Sequence, residues 1–392
     1  MVFLKIGVAL FFFFCLFYWL MQLIMIIRVI KSVPKVENFP DRGLNIWPKV
    51  SVIAPARNEA RTIADAIQSR LRDDYPNLEI ILIDDRSNDG TTEIIDQLSQ
   101  RDKRIKALHI KHLPEDWLGK VYAMDQGVRV SSGEWLLFSD ADVYIKTGTL
   151  KKCVIYATER NLDRLAVFPD LYSVGFILDI LLTIFIKSIC LVARVWAIED
   201  PKSSASVGSG AFNLVRRSAL DKTKGLEWIK LEMGDDVALG QMLKQSGARE
   251  SLVNGRGFVG VYFYRSLKEA ALGTDRPTFT TIGEFSFWRL FFMGLILMVL
   301  ELSPYLALLP LGIPYLRFLG LFILVLSITI LVLANIWMKR PVWSAFFAPL
   351  GIVVSVFLMW RAGFLGAIRG GVYWRGTFYP TEILKQGRRV KI

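Results

Sequence analysis

The chain has 392 residues, 53% of them hydrophobic, and a formal net charge of +12 at pH 7. A mean hydropathy of +0.38 excludes an ordinary soluble enzyme, because the apolar residues are concentrated in an N-terminal block and a larger C-terminal one. Three scattered cysteines and two histidines argue against a disulfide framework, a histidine-built metal site and a Ser-His-Asp triad. The positive charge favours a membrane surface and a phosphate-bearing ligand, since no basic-aromatic pattern or zinc spacing indicates nucleic acid.

Residues 1–31 are predicted to form an N-terminal transmembrane helix, because residues 6–27 are almost continuously apolar and long enough to span a bilayer. A cleaved signal peptide is the competing interpretation, but the apolar run is too long and no small-residue cleavage site follows it. One basic residue precedes the run and three follow it: Lys5, Arg28, Lys31 and Lys35. The positive-inside rule therefore places the next domain in the cytoplasm, at the inner membrane of the cell. Residues 32–48 are predicted to be a linker.

Residues 49–286 alternate between strand and helix patterns. Strands are predicted at 50–54, 78–83, 105–109 and 135–138, and helices at 60–71, 91–98 and 121–130. This alternation predicts an α/β fold with a mostly parallel sheet and helices on both faces. In such sheets, ligands bind at the carboxyl ends of the strands.

Polar residues follow three of these strands. They are Pro55, Arg57, Asn58 and Glu59 after the first, Asp84 and Asp85 after the second, and Asp140 and Asp142 after the fourth. Each group alone is compatible with a turn or a helix cap, but three groups on one edge indicate a site. Asp140 and Asp142 are spaced i, i+2 and suit a Mg²⁺ or Mn²⁺ ion that also holds phosphate oxygens. Lys120 at a predicted helix start adds charge to the free N–H groups of a possible diphosphate site.

These motifs, in their order and spacing, resemble the family 2 glycosyltransferases of the GT-A fold. The series is Pro55…Asn58-Glu59, Asp84-Asp85-x-Ser87-x-Asp89-Gly90-Thr91, Gly119-Lys120, Asp140-x-Asp142 and Asp235-Asp236. The flanking apolar segments are similar to those of membrane-anchored members such as ceramide glucosyltransferase and the hopanoid-associated glycosyltransferases. The resemblance, over roughly residues 49–265, implies a doubly wound mixed sheet and a nucleotide-sugar donor, expected to be a UDP-sugar.

The resemblance also implies roles for individual residues. Asp236 would be the general base with Asp235 beside it, and Asp142 with Asp140 would hold Mg²⁺ or Mn²⁺. The donor-binding residues would be Pro55, Arg57, Asn58, Glu59, Asp84, Asp85, Lys120, Asp140 and Gly210. Gly210 lies in a loop of small residues that lets the backbone approach a ligand closely. A single displacement with one base inverts the anomeric centre.

Two further regions are apolar. Residues 174–198 carry Asp179, Lys187 and Arg194, and because interior charges are expensive in a membrane we predict an interfacial amphipathic segment rather than a span. Residues 287–368 are predicted to form two or three membrane segments, with a break at 312–315. Since three full crossings would leave the basic tail outside, the last segment is predicted to be re-entrant or interfacial, interrupted at Pro349-Leu350-Gly351.

The basic tail, residues 369–392, is expected to be cytoplasmic and contains Trp374-Arg375-Gly376. Many relatives carry a Gln-x-x-Arg-Trp motif near their acceptor site, and this chain has none. Trp374-Arg375-Gly376 looks like the variant of hopanoid- and carotenoid-type relatives, which makes Trp374 and Arg375 candidate acceptor residues. On physical grounds alone, a tryptophan and an arginine beside tyrosines at a membrane end form an interfacial anchor.

The sequence therefore predicts an inverting glycosyltransferase that transfers a sugar to a hydroxyl group of a membrane lipid. A polyprenyl-phosphate sugar transferase is the nearest alternative, and its acceptor is already ionised. A processive polysaccharide synthase would need a transmembrane polymer channel, for which these spans look too few. A catalytically silent membrane scaffold is the remaining alternative, against which the acids at every expected position argue.

Overall fold

The computed structural model describes residues 2–41, 43–309 and 314–390. Arg42 of the predicted linker, part of the predicted break at 312–315 and the last two residues of the predicted tail lie outside the described residues. The strands are β1 (Val50–Ala56), β2 (Leu78–Asp85), β3 (Ile105–Ile110), β4 (Trp135–Phe138), β5 (Tyr144–Ile145), β6 (Arg164–Phe168), β7 (Asp170–Leu171), β8 (Asn213–Arg216), β9 (Glu250–Asn254), β10 (Val259–Val261), β11 (Gly371–Trp374) and β12 (Thr377–Pro380). The helices are α1 (Val2–Ser32), α2 (Ile63–Leu71), α3 (Thr91–Arg101), α4 (Gly119–Val130), α5 (Thr149–Glu159), α6 (Phe176–Val192), α7 (Arg217–Leu220), α8 (Asp235–Gln245), α9 (Leu267–Pro277), α10 (Phe287–Leu302), α11 (Pro314–Trp337), α12 (Ala348–Arg369) and α13 (Thr381–Gly387).

The main sheet has the strand order β3-β2-β1-β4-β8-β6-β9. β1 is parallel to both of its neighbours, with Val50 opposite Leu78 of β2 and Trp135 of β4. β8 runs antiparallel to β4 and β6, so the sheet is mixed. The predicted α/β class is confirmed, and the predicted ends of β1 to β4 lie within two residues of the observed ones.

Helices cover both faces of the sheet, as expected for strands that are apolar along their whole length. On one face, Ile53 and Ile81 of the sheet share a buried cluster with Met124 of α4 and Leu239 of α8. On the other face, Val52, Ile80 and Leu137 belong to a cluster that includes residues of α1, α2 and α5. Because helices cover both faces of the sheet, the loops at the carboxyl ends of the strands are the part of the sheet that a ligand can reach.

Apolar helices accompany the domain near the N-terminus and in the C-terminal region, as predicted. Among the described residues, five helices are long and apolar enough to cross a membrane: Ile6–Ser32, Phe176–Ala197, Phe287–Leu308, Leu316–Trp337 and Val342–Arg369. The second of these contains α6 and precedes β8 in the chain. The number and direction of crossings stay a prediction.

Two charges of α6 are paired, one with Glu301 of α10 and one with Arg340, which lies between α11 and α12. Lys187 Nζ donates to the two carboxylate oxygens of Glu301 at 2.6 and 2.5 Å, and Arg340 Nη2 donates to Asp179 Oδ1 at 2.5 Å. All four side chains are buried, and Arg194 lies beyond the end of the helix. Since paired charges are tolerated among membrane helices, the charge argument against a span no longer applies. The interfacial placement of the segment stays a prediction.

Replacing Lys187 by methionine is expected to destabilise the protein by about 3 kcal/mol, because the buried Glu301 would lose its countercharge. Thermal unfolding in detergent measures the effect. The double variant Lys187→Met, Glu301→Leu removes both charges and is expected to recover most of the lost stability. A single variant as stable as the wild type would show that the ion pair is dispensable.

The predicted interruption of the last apolar segment at Pro349 is wrong. α12 is a single helix of 22 residues from Ala348 to Arg369, and Pro349 lies in its first turn. A proline fits there because the first N–H groups of a helix have no partner within the helix. The segment still changes from a 3-10 helix, Val342–Phe347, to α12 directly before Pro349, and its re-entrant or interfacial placement stays a prediction.

The tail folds back onto the domain. α12 leads at Arg369 into the β11–β12 hairpin, whose strands pair from Gly371 with Pro380 to Trp374 with Thr377. Further on, the backbone N–H groups of Arg389 and Val390 donate to Glu232 Oε2 at 2.6 and 2.9 Å. These contacts fix the hairpin between a membrane-length helix and the carboxyl edge of the sheet.

Candidate active site

The carboxyl ends of β1, β2 and β4 open onto one cleft of about 170 Å³. Its predicted site residues are Pro55, Arg57, Glu59, Asp85, Lys120, Asp140, Asp142, Trp374 and Arg375. A smaller cavity adjoins it, shares Pro55, Lys120 and Asp140 with it, and is also lined by Gly210, Asp235 and Asp236. The fold thus brings most of the predicted site together from seven separate parts of the chain.

Asp142 occupies a strongly negative environment in the cleft. Burial, followed by the neighbouring carboxylates of Asp140 and Glu59, raises the pKa of its carboxyl group to about 7. Such clustered negative charge fits a divalent cation. Among the described residues, no group of three or more His, Cys, Asp or Glu side chains is placed to hold a metal ion by itself. Two carboxylates completed by phosphate oxygens and water are the usual environment of Mg²⁺.

Arg70 of α2 supports the turn that carries the two acids. Its guanidinium group is buried and donates to the backbone oxygens of Asp140 and Val143. Burial lowers the pKa of Arg70 to about 10, against the attraction of Asp142 and Asp140. Nothing in the local sequence singles out this arginine, because an arginine on an amphipathic helix is ordinarily on its solvent face.

Lys120 contacts one acid of the Asp140-x-Asp142 motif and one acid of the Asp235-Asp236 pair. It lies in the first turn of α4, and its Nζ is 2.9 Å from Asp140 Oδ1 and 3.1 Å from Asp235 Oδ2. Burial lowers the pKa of Lys120, but the carboxylates of Asp140 and Asp235 outweigh burial and hold that pKa well above its ordinary value. The lysine is therefore charged and positioned next to an anion-binding helix N-terminus.

Asp236 is held against the small-residue loop. The backbone N–H of Gly210 donates to Asp236 Oδ2 at 3.1 Å. A side chain at Gly208 would come within 2.0 Å of the Asp236 backbone, so only glycine allows this approach. Burial, followed by the charge of Asp235, raises the pKa of Asp236. A carboxylate with a raised pKa is a stronger proton acceptor, as a general base requires.

Asp85 lies on the other side of the cleft and is buried. It accepts a hydrogen bond from Arg86 Nε at 2.7 Å, and Arg57 Nη1 is 3.7 Å from its second oxygen. A Cβ atom at Gly119 would lie 2.3 Å from that oxygen, so the first residue of α4 must be small. The side chains of Arg57 and Asp85 thus face the cleft as a pair.

Two predicted donor-binding residues lie outside the lining of both cavities. The side chain of Asn58 accepts from the N–H of Asn88 at 2.9 Å, and Asp84 accepts from the N–H of Ser87 at 3.0 Å and from Thr92 Oγ1 at 2.7 Å. The Asn58 hydrogen bond ties the loops after β1 and β2 together, whereas those of Asp84 join it to the loop after β2 and to the first turn of α3. Their geometry is that of positioning residues, and direct donor binding by either stays a prediction.

The tail residues Trp374 and Arg375 reach the same cleft. Arg375 Nη2 donates to Glu59 Oε1 at 2.9 Å, and its Nη1 donates to the carbonyl oxygen of Arg57. Arg375 has φ 45°, at the tight turn of the β11–β12 hairpin. The hairpin therefore covers the loop after β1, where the sequence predicted donor contacts, and an acceptor role for these two residues stays a prediction.

Arg276 at the end of α9 is a cleft residue that the sequence did not reveal. Its guanidinium lies 3.9 Å from the centre of the Trp374 ring. Its Nε and Nη1 atoms are buried without a hydrogen-bond partner among the described residues. Burial lowers the pKa of Arg276, against the attraction of Asp235. Two buried guanidinium nitrogens without a partner fit an anionic ligand, and the nearest local signal was only the position of Arg276 before Pro277.

The mixed sheet and the acids at its carboxyl edge are those of a GT-A fold. The chain matches the family model described as Glycosyl transferase family 2 over residues 51–223. That stretch is a family 2 glycosyltransferase domain, and the predicted family is confirmed for those residues. The finer likeness to hopanoid-associated or ceramide enzymes stays a prediction.

Curated relatives match a part of the chain. The chain is 30% identical over 114 residues to glycosyltransferase GlyG of Streptococcus pneumoniae serotype 4, which covers 29% of this chain and 36% of that protein. It is 33% identical over 112 residues to the GalNAc(5)-diNAcBac-PP-undecaprenol beta-1,3-glucosyltransferase of Campylobacter jejuni, covering 29% and 35%. These likenesses span about a third of each relative.

One solved structure resembles almost the whole chain. The mannosyltransferase PcManGT from Pyrobaculum calidifontis, in complex with GDP-Man and Mn²⁺, superposes with a TM-score of 0.52 at 15% identity. The likeness covers 93% of this chain and 97% of that one. At this identity it shows a shared fold, which includes the predicted GT-A sheet.

Proposed function

We propose that the protein is an inverting glycosyltransferase that moves a sugar from a nucleotide-diphosphate sugar to a hydroxyl group of a membrane lipid. The observation that carries the proposal is the meeting of Asp142, Lys120 and Asp236 in adjoining cavities at the carboxyl edge of the sheet. These residues provide a metal-binding acid, a fixed cation and a base around one space, as the reaction needs.

The donor would lie across the main cleft. Glu59 and Asp85 are proposed to contact the base and ribose, and Lys120 and Arg276 to face the diphosphate. Asp142 and Asp140 would hold Mg²⁺ or Mn²⁺, which supplies Lewis acidity to the departing diphosphate when it is bound. The mannosyltransferase of the same fold binds GDP-Man with Mn²⁺, which supports this donor class without deciding the base.

The acceptor would approach from the Asp236 side. As the hydroxyl oxygen bonds to the anomeric carbon, the bond to the diphosphate breaks and Asp236 takes the hydroxyl proton. The Gly210 N–H holds the carboxylate in place for this transfer. One displacement inverts the anomeric centre, so an α-linked donor gives a β-glycoside.

A lipid acceptor is supported by the position of the cleft. Its wall includes Trp374 and Tyr379, a few residues after the membrane-length segment Val342–Arg369 ends. The Campylobacter relative is named for an undecaprenol-linked acceptor, which is consistent with chemistry at a membrane surface. We expect the product of a membrane incubation with radiolabelled nucleotide-sugars to appear in the lipid extract. Label confined to water-soluble products would refute a lipid acceptor.

Arg276→Ala is expected to raise the KM for the nucleotide-sugar roughly tenfold, because an unpaired guanidinium is matched to a phosphate. Arg276→Lys keeps a positive charge and is expected to recover part of the loss. Initial rates over a range of donor concentrations measure the change. Arg101→Ala removes an exposed arginine at the far end of α3 and serves as the control. An unchanged KM in Arg276→Ala would remove this residue from the donor site.

A further inference from the structure

A second groove lies outside the active site, where α1 meets the domain. It has a volume of about 540 Å³. It is lined by Ile24, Ile27, Arg28, Lys31 and Ser32 of α1 and by Trp196, which belongs to the short 3-10 segment after α6. The groove is therefore built by two segments that are far apart in the sequence.

The two faces of α1 differ at this end. Ile26, Val29 and Val33 are buried against the core. Ile24 and Ile27, on the groove side, are 48% and 37% exposed. Because residues three and four apart share one helix face, Ile24, Ile27, Arg28 and Lys31 form a continuous stripe that is apolar toward the helix centre and basic toward its end.

The groove marks the boundary between the apolar helices and the domain. Just beyond α1, the carbonyl oxygen of Pro34 accepts a hydrogen bond from the N–H of Asn254 at 2.8 Å. The ring of Phe39 then stacks on Tyr156 at 3.9 Å. The chain thus enters the domain directly, so the end of α1 lies at the level of the lipid headgroups if the helix spans the membrane.

The positive charge of the groove's basic residues is not compensated by an acidic residue among the described residues of the groove, whereas the charge of the neighbouring cations is compensated. Nearby, Lys35 and Arg256 lie 3.8 and 3.0 Å from Glu37 Oε1, so their charge is compensated. Arg28 and Lys31 are exposed, and no acidic residue lines the groove in the part of the chain that the structure describes. A tryptophan beside them is typical of the interfacial layer.

We propose that this groove binds one anionic phospholipid of the adjacent leaflet. Its phosphate would lie between Arg28 and Lys31, its polar backbone near Ser32 and Trp196, and its acyl chains along Ile24 and Ile27. The charge selects an anionic headgroup, and the apolar stripe below it accepts hydrocarbon. The proposal rests on the membrane location in the proposed function and is independent of the transfer reaction.

Native mass spectrometry of the full-length protein in detergent tests the proposal, with phosphatidylglycerol or phosphatidylcholine added. We expect preferential retention of phosphatidylglycerol. The Arg28→Ala, Lys31→Ala variant is expected to weaken this binding by roughly tenfold or more. Lys103→Ala, Lys111→Ala removes the same charge from exposed positions on the domain and should bind as the wild type does.

The variant Arg28→Lys, Lys31→Arg keeps both positive charges and should retain binding. It shows whether the lost binding in Arg28→Ala, Lys31→Ala is due to the lost charge or to misfolding. Equal retention of the two lipids, or equal loss in the control variant, would overturn the proposal. A dimer that disappears in Arg28→Ala, Lys31→Ala would assign the groove to a second copy of the chain instead. Since the assay measures bound lipid without turnover, a protein inactive in sugar transfer can still confirm or refute the site.

Discussion

Asp236→Asn is expected to lower sugar transfer by a factor on the order of 10² to 10⁴, because the amide cannot accept the hydroxyl proton. The replacement has nearly the same shape, and its carbonyl oxygen can still accept the hydrogen bond that Gly210 gives to Asp236. The loss should therefore appear in kcat and not in folding or donor affinity. Turnover with a purified lipid acceptor, beside binding of the nucleoside diphosphate, separates these quantities.

The matched control is Asp221→Asn, which makes the same change at an exposed residue after α7. It should transfer sugar as the wild type does. Full activity of Asp236→Asn on a hydroxyl acceptor would remove Asp236 from the mechanism. Full activity on a polyprenyl phosphate alone would favour the alternative acceptor, whose oxygen is already ionised and needs no base.

Asp142→Ala is expected to abolish activation by Mg²⁺ or Mn²⁺ and to lower transfer at least about a hundredfold, or roughly 3 kcal/mol. The physical reason is the negative environment of this carboxyl group, whose pKa burial and Asp140 raise to about 7. Removing it leaves Asp140, which is already bound by Lys120 at 2.9 Å, as the remaining acid of the motif. Rates measured against Mn²⁺ concentration, before and after treatment with a chelator, test the prediction.

Calorimetry of nucleoside diphosphate binding with and without Mn²⁺ gives a second readout that does not require turnover. The wild type should bind more tightly with the ion, and Asp142→Ala should bind equally in both conditions. Glu93→Ala, at an exposed position of α3, is the control and should respond to the ion like the wild type. A metal response that survives in Asp142→Ala would place the ion elsewhere.

Much of the fold follows from local sequence. The four strands β1 to β4 are short apolar runs between helical patterns, and both features depend on nearest neighbours in the chain. The acids after these strands could be predicted to meet because parallel neighbours end on the same edge. Asp235 and Asp236 lie more than 90 residues after Asp142, so spacing alone does not place them at the same edge. The resemblance to the family predicted that they belong to the site.

Local pattern was misleading where a partner lies far away in the chain. The charges of α6 argued against a span because their partners, Glu301 and Arg340, belong to segments more than 100 residues later. Pro349 looked like a break since the sequence does not show that α12 begins one residue before it. In each case the missing information was a tertiary contact or a helix boundary.

The sequence by itself determined the α/β alternation, the apolar segments and the acids at the strand ends, because these depend on periodicity and residue type. Only the tertiary structure decided that Arg276 and the Trp374–Arg375 turn enter the same cleft as Asp142. It also decided that Arg70 supports the turn that carries Asp140 and Asp142, and that Lys120 contacts both Asp140 and Asp235. These contacts depend on how distant segments pack, and no property of one short stretch contains that information.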